Sequence, residues 1–219
     1  MNKIDRLCGL REKNRRPEEP PMTAPPGSDT VDDNTVLVRS RREPERFTVI
    51  YDRHFPDIYR YVAARLGRDA ADDVAAETFY TAFRKRDRFD ARRGAVRPWL
   101  YGIATRLVGQ HRRDESRRYE LLSRLSPGDR AVEHEDRAAA RVTAQGVRPQ
   151  LAAALAGLSG EDRDALLLVA VAGLAYEEVA QALEIPSGTV GSRLHRARRK
   201  VRQALGGIDP TGIEEKRHA

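Results

Sequence analysis

The sequence predicts an all-α protein of two small helical domains joined by a flexible linker, and three observations carry that expectation. Apolar residues recur at spacings of three and four through two separate stretches of the 219 residues. No strand pattern alternates with the helical ones, so a parallel sheet has nothing to be built from. Charged residues make up 33% of the chain and aromatics only 6%, a balance that suits small helical modules with small cores.

Residues 1–42 contain Pro17, Pro20, Pro21, Pro25 and Pro26, many charges and little hydrophobic periodicity, so they are expected to form a disordered arm. Met22 opens the run MTAPPGSDT and would also serve as a translation start, which leaves Met1 and Met22 both open. Order is expected from Glu43. Phe47, Tyr51, Phe55, Ile58, Val62 and Leu66 step by three or four, giving one helix or a kinked pair around Pro56, ended by Gly67. A second helix is predicted from Asp69 to Arg86. Asp69, Asp72 and Asp73 stand in its first turns and Arg84, Lys85 and Arg86 in its last, so both ends complement the helix dipole. Residues 88–97 read as a loop containing Gly94, and Pro98 suits the first turn of a third helix. Trp99, Leu100, Ile103, Ala104, Leu107 and Val108 are its apolar side, and it continues into the basic run HRRDESRR.

Residues 119–148, with Pro127-Gly128 and the acidic Glu133, Glu135 and Asp136, read as a linker. A second helical domain is expected over 149–206, followed by a disordered tail, 207–219. Ser159-Gly160-Glu161-Asp162 has the form of a capping box with Asp in place of Glu or Gln, and it opens the apolar helix DALLLVAVA that Gly173 closes. In residues 176–205, Val179, Ala180 and Leu183 form the apolar stripe of a short helix. Pro186 lacks a donor and biases Ile185 away from helix, and Ser187 is the expected N-cap of the next one. There Val190, Leu194, Ala197, Val201 and Leu205 make one buried face, and Arg193, Arg196, Arg198, Arg199, Lys200 and Arg202 fill much of the rest. This is the pattern of a helix-turn-helix whose second helix enters the DNA major groove, or else of a helical hairpin with a solvated basic face.

The formal net charge of +7 favours a polyanionic partner. Cys8 is the single cysteine, which excludes an internal disulfide. No apolar run reaches the roughly 20 residues of a membrane span, and the N-terminus has no apolar signal core, so no membrane insertion and a cytoplasmic location are expected. His54, His111, His134, His195 and His218 are scattered, and neither a metal-ligand spacing, a phosphate-binding glycine loop nor a nucleophile elbow occurs. No enzyme and no cofactor are expected.

Two blocks together are similar to the extracytoplasmic-function (ECF) type of RNA polymerase sigma factors, of the sigma-70 family. DAADDVAAETFYTAF (69–83) and RPWLYGIATRL (97–107) resemble the family's region 2, within 43–118; LSGEDRDALLLVAVAGLAYEEVAQALEIPSGTVGSRLHRARRKVR resembles region 4. The resemblance implies a subunit that directs core RNA polymerase to specific promoters and helps open their −10 region. It implies that Asp72, Asp73 and Glu77 bind the polymerase β′ clamp, with Val74, Phe79 and Ala82 beside them, and that region 4 meets the β flap. From spacing alone the same acids also read as dipole compensation, and Phe79 and Phe83 read as core. The −10 element is expected to meet Arg88, Phe89, Arg92, Arg93 and Arg97, where exposed bases are stabilised by stacking and by cations on phosphate. Trp99 either stacks on a base or packs in the core; Arg106, His111, Arg112 and Arg113 either meet upstream phosphates or are solvated. The −35 element is expected to meet Ser187, Thr189, Val190, Ser192, Arg193, His195 and Arg196, with Arg199 and Lys200 nearer phosphate; Arg193 or Arg196 can reach guanine bidentately.

Four positions depart from the family pattern: Gly191 where a basic side chain is frequent, Glu184 where the left-handed turn usually carries Gly, Arg106 in place of an Asn, and Ala175 without a capping side chain. The resemblance further implies an anti-sigma factor as a partner; the linker is expected to run through the polymerase, and our hypothesis is that Glu133, Glu135 and Asp136 mimic nucleic-acid charge there. The competing reading is a helix-turn-helix regulator with an N-terminal sensor or dimerisation domain that binds DNA without polymerase.

Overall fold

In the computed structural model, residues 31–92, 94–125 and 149–205 are described, and they form eight α-helices and no strand. The first helix, α1 (Asp33–Arg39), falls inside the segment expected to be an arm. It forms because the Asp32 carboxylate accepts from Thr35 N (3.3 Å) as an N-cap and because Val36 and Leu37 are buried where α1 packs on the next helix. Residues 1–30 lie outside the described ones. A 3₁₀ turn, Pro44–Arg46, leads into α2 (Phe47–Leu66), one helix running through Pro56 rather than a pair. Gly67 ends it with φ +83°, a left-handed value that suits a residue without Cβ, and α3 (Arg68–Lys85) starts directly after it.

α3 buries Ala71, Val74, Ala75, Thr78, Phe79 and Ala82, the inward set of a 3.6-residue period, against α2 and α4. α4 (Val96–Leu125) is 30 residues and about 45 Å long at helical rise. It therefore continues past residue 118 into the stretch expected as linker; residues 126–148, with Glu133, Glu135 and Asp136, and the tail from 206 lie outside the described residues.

The second domain comprises α5 (Pro149–Ala156), α6 (Gly160–Ala170), α7 (Tyr176–Leu183) and α8 (Ser187–Ala204). Ser159 caps α6 as expected, its hydroxyl accepting from Asp162 N at 3.2 Å. The N-cap of α8 is Pro186, and Ser187 is its first helical residue, which corrects the expected capping role. Val190, Leu194, Ala197 and Val201 of α8 are buried against α5, α6 and α7.

The two domains are packed on each other. α7 lies along α4, with Gly102 facing the backbone carbonyl of Ala182, and the buried apolar residues of both domains form one contiguous cluster. A Cβ at Gly102 would sit 2.5 Å from that oxygen, so only glycine permits this approach. A polar tie closes the other end. Arg65 of α2, 4% exposed, pairs with Asp164 of α6 and donates to the Tyr61 hydroxyl (2.7 Å), which meets Thr105 Oγ1 of α4 (2.8 Å). No described helix is long and apolar enough to cross a membrane.

Candidate nucleic-acid and partner surfaces

The helix-turn-helix is built by local backbone chemistry. Ala175 has no capping side chain, and Glu178 supplies the cap from inside the helix by accepting from Ala175 N at 2.9 Å. After α7 the chain turns at Glu184, whose φ of 56° and ψ of 43° are left-handed, the conformation its position suggested. Ile185 N then donates to Ala180 O at 3.0 Å, so the last turn's carbonyls are not orphaned.

α8 presents Ser187, Ser192, His195, Arg199 and Lys200 as an exposed row, with Thr189 half-buried at its start. Val190 is fully buried and is therefore a core residue, not a DNA contact. Gly191 leaves open space where a side chain would stand. The two arginines expected to read guanine are engaged within the domain: Arg193 Nη2 meets Glu161 Oε2 at 2.6 Å, and Arg196 holds Asp162 through bonds of 2.9 and 3.4 Å. Asp162 is buried, which opposes its charge, but the hydrogen bonds from Arg196 and Ser159 and the Arg196 and Lys200 charges hold its pKa below the ordinary 3.8. Turning Arg196 to DNA would strand that buried carboxylate. Glu161 is 71% exposed and returns to water at little cost, so Arg193 is the exchangeable one of the two.

In the first domain, Arg88 and Arg92 are exposed on the loop after α3, and the Asp90 carboxylate accepts from Arg92 N (3.0 Å) to form a tight turn; Arg93 lies outside the described residues. Phe89 is buried against Trp99, ring centroids 5.1 Å apart, so Phe89 is no open stacking platform here and Trp99 is half-buried, between its two expected roles. Phe89 and Trp99 nonetheless line a cleft with Arg88 and Arg106 on one wall and Glu184, Ile185 and Pro186 of the turn on the other.

That cleft is the seam between the domains. Arg97 forms two 3.1 Å bonds to Glu178 and one of 2.6 Å to Ala172 O, and Arg106 pairs with Glu184 at 3.0 Å. The Gln181 carboxamide accepts from Ala95 N (3.1 Å) and donates to Ala95 O (2.8 Å). Two cations expected at the −10 element are thus matched by acids of the helix-turn-helix. Arg112 donates to Arg65 O (2.8 Å); burial, together with repulsion from Arg65 and Arg163, lowers its pKa to about 10, which makes it an internal strut rather than a phosphate contact. Arg113 is exposed, and His111 lies 3.6 Å from Glu115.

On α3, Asp72 and Asp73 are exposed and Glu77 half-buried, forming an acidic row on the outer face. Val74, Phe79 and Ala82 turn inward at 8%, 0% and 0% exposure, because α3 is sandwiched between α2 and α4; they support the acidic row from beneath and cannot touch a partner. Sequence reasoning missed Asn34, Arg41, Arg65, Gly102 and Gln181. Of these, the run DDNTVLVR carried a usable signal, an acidic cap followed by an apolar pair.

The family described as Sigma-70 region 2 matches residues 50–118, and that described as Sigma-70, region 4 matches residues 148–201. The chain is similar to the ECF RNA polymerase sigma factor SigC of Mycobacterium tuberculosis, 34% identical over 148 residues that cover 65% of this chain and 74% of the relative. It is also similar to SigK of Mycobacterium ulcerans, an ECF sigma factor, 30% identical over 84% of this chain and 98% of the relative. Among solved structures, CnrH in complex with the cytosolic domain of CnrY shares the fold with a TM-score of 0.57 and 23% identity, over 80% of this chain and 97% of that one. The sigma factor RpoE in complex with the anti-sigma factor NepR from Bartonella quintana gives 0.51 and 23%, over 73% and 96%.

Proposed function

Since the chain belongs to the sigma-70 family of RNA polymerase sigma factors, in its ECF branch, we propose how its surfaces divide the work of promoter-specific initiation. Core RNA polymerase is met through the exposed Asp72 and Asp73 with Glu77, facing the β′ clamp, while region 4 faces the β flap. The −35 element is read by α8 through Ser187, Thr189, Ser192, His195 and the exchangeable Arg193, with Arg199 and Lys200 on phosphate. The −10 element is met by Arg88, Arg92, Arg97, Trp99, Arg106 and Arg113. Region 2 takes in α1 and runs through α4; region 4 spans α5 to α8.

The observation that carries this reading is the pairing of an exposed cationic recognition helix with an acidic face on a separate helical domain of the same chain. A sensor-type regulator needs no second surface of that sort. The closed packing adds a condition: Arg97 cannot hold Glu178, the Ala172 carbonyl and a promoter phosphate at once, so region 4 leaves region 2 before both elements are read. The reading is of a binding protein of the cytoplasm, with phosphoryl transfer left to the polymerase, and of a protein held in check by an anti-sigma factor, as in the complex of RpoE with NepR.

Run-off transcription with core polymerase and genomic promoter fragments tests it. Transcription that depends on this chain is the expected outcome. Failure to bind core polymerase, or a footprint on duplex DNA by the isolated chain, would instead support a helix-turn-helix regulator.

A further inference from the structure

We propose that α1 and the turn after it form a brace that fixes the two ends of the loop between Phe89 and Val96, making Asn34 and Arg41 positioning residues for promoter opening. This rests on the reading of that loop as a −10 contact. Asn34 reaches across to the end of the loop: its Oδ1 accepts from Val96 N (3.0 Å) and its Nδ2 donates to Gly94 O (3.3 Å). Val96 is the first residue of α4, so Asn34 satisfies one of that helix's orphan amides from a different segment of chain.

Arg41 holds the beginning of the loop. Its Nε donates to Arg86 O at 3.2 Å, and its Nη2 donates to Phe89 O. Arg86 returns the contact through Nε to Ser40 O at 3.2 Å. The brace is itself anchored on α2. Leu37 is fully buried and Val36 nearly so, and the Asp33 carboxylate meets Arg53 Nη1 and His54 Nε2, each at 2.7 Å. The loop is therefore tied at both ends to one short rigid element, while Asp90 to Arg92 between the ties stay exposed. Ends so fixed leave less of the loop to be ordered on separated bases, which lowers the entropic cost of capturing them.

The two side chains do different things at their carbonyls and amide, and that makes the brace separable from mere folding. Asn34→Asp keeps the acceptor for Val96 N and loses the donor to Gly94 O. Asn34→Ala loses both. Arg41→Lys keeps charge but cannot span Arg86 O and Phe89 O together.

The test assembles full-length variants with core polymerase on a promoter identified by run-off transcription. Three quantities are measured: affinity for core polymerase, the melting temperature of the free chain, and the rate of −10 opening from permanganate reactivity of thymines. Asn34→Ala and Arg41→Ala are expected to slow opening by roughly five-fold for each hydrogen bond lost, with core affinity unchanged. Asn34→Asp should fall between wild type and Asn34→Ala while melting temperature and core affinity stay at the wild-type values, a combination that loss of folding would not produce. Should either alanine variant melt below the assay temperature, Asn34→Asp and Arg41→Lys carry the test. Arg92→Ala is the control for the loop. If it slows opening while the Asn34 and Arg41 variants open at the wild-type rate, the brace is overturned and the loop reading stands. If Arg92→Ala together with Arg88→Ala leaves opening unchanged, the loop reading fails and the brace falls with it.

Discussion

Gly102→Ala should open the two domains without damaging either. The added Cβ would stand 2.5 Å from Ala182 O and 3.3 Å from Ala182 C, and both atoms belong to backbone, so no rotamer change relieves the overlap. A tolerable carbon–oxygen contact is about 3.3 Å, which requires α4 and α7 to part by about 0.8 Å. That movement carries the 3.1 and 2.8 Å bonds between Gln181 and Ala95 beyond useful hydrogen-bond range and loosens the two Arg97–Glu178 bonds. The Arg106–Glu184 pair, 58% and 70% exposed, adds little. The loss is about 2–3 kcal/mol, so the ratio of open to closed chain should rise roughly thirty- to a hundred-and-sixty-fold. Within α4 itself Ala is better than Gly by about 1 kcal/mol, so region 2 should melt no lower than wild type. Small-angle scattering of the free chain should report a larger radius of gyration, and affinity for a single-stranded −10 oligonucleotide should rise as Arg97 and Arg106 are released. Unchanged scattering together with unchanged affinity would refute the argument that the seam masks the −10 surface.

Placing Arg at Gly191, where the helix surface is open, should tighten duplex promoter binding by the chain assembled with core polymerase and steepen its log–log salt dependence by about 0.9; an unaltered slope would mean that this face of α8 does not approach phosphate. Glu184→Gly relieves a left-handed residue at φ 56° that costs about 1–2 kcal/mol, against loss of an exposed ion pair, so thermal melting of region 4 should move up. Asp162→Asn should lower that melting temperature by about 5 °C at neutral pH. Because the Asp162 pKa lies below its ordinary 3.8 when folded, its contribution is complete above that value and is lost as pH falls through the folded pKa. The difference between wild type and Asp162→Asn should accordingly stay level down to about pH 4 and close below it; a difference that persists at lower pH would show that the ion pair is not its source.

Most of the architecture was legible from periodicity. α2, α7 and α8 follow the three-four spacing of their apolar residues, α3 the acidic and basic residues at its two ends, and α6 its apolar run, with Gly67, Gly173 and the Ser159 cap where composition placed them. α1 was hidden because seven residues beside a proline-rich stretch carry too little periodicity to stand out; burial of Val36 and Leu37 on α2 makes the helix. Val74, Phe79, Ala82 and Val190 show the reverse limit. A motif names the neighbourhood of a contact, but which side of the helix faces a partner depends on what packs behind it.

The sequence by itself determined that this protein is all-α and carries a helix-turn-helix whose second helix is cationic. Those properties rest on local chemistry, in helical periodicity, caps, turns and charge, that is written residue by residue; the protein's sigma regions 2 and 4 were marked by resemblance. Only the tertiary structure decided that Arg193 and Arg196 are engaged by Glu161 and Asp162, and that Glu178, Gln181 and Glu184 hold Arg97, Ala95 and Arg106. It alone joined Asn34 to Val96 across 62 residues of chain. Such pairings follow from how helices pack, and a side chain's spacing along its own helix carries no information about the acid or amide that a distant helix will bring to it.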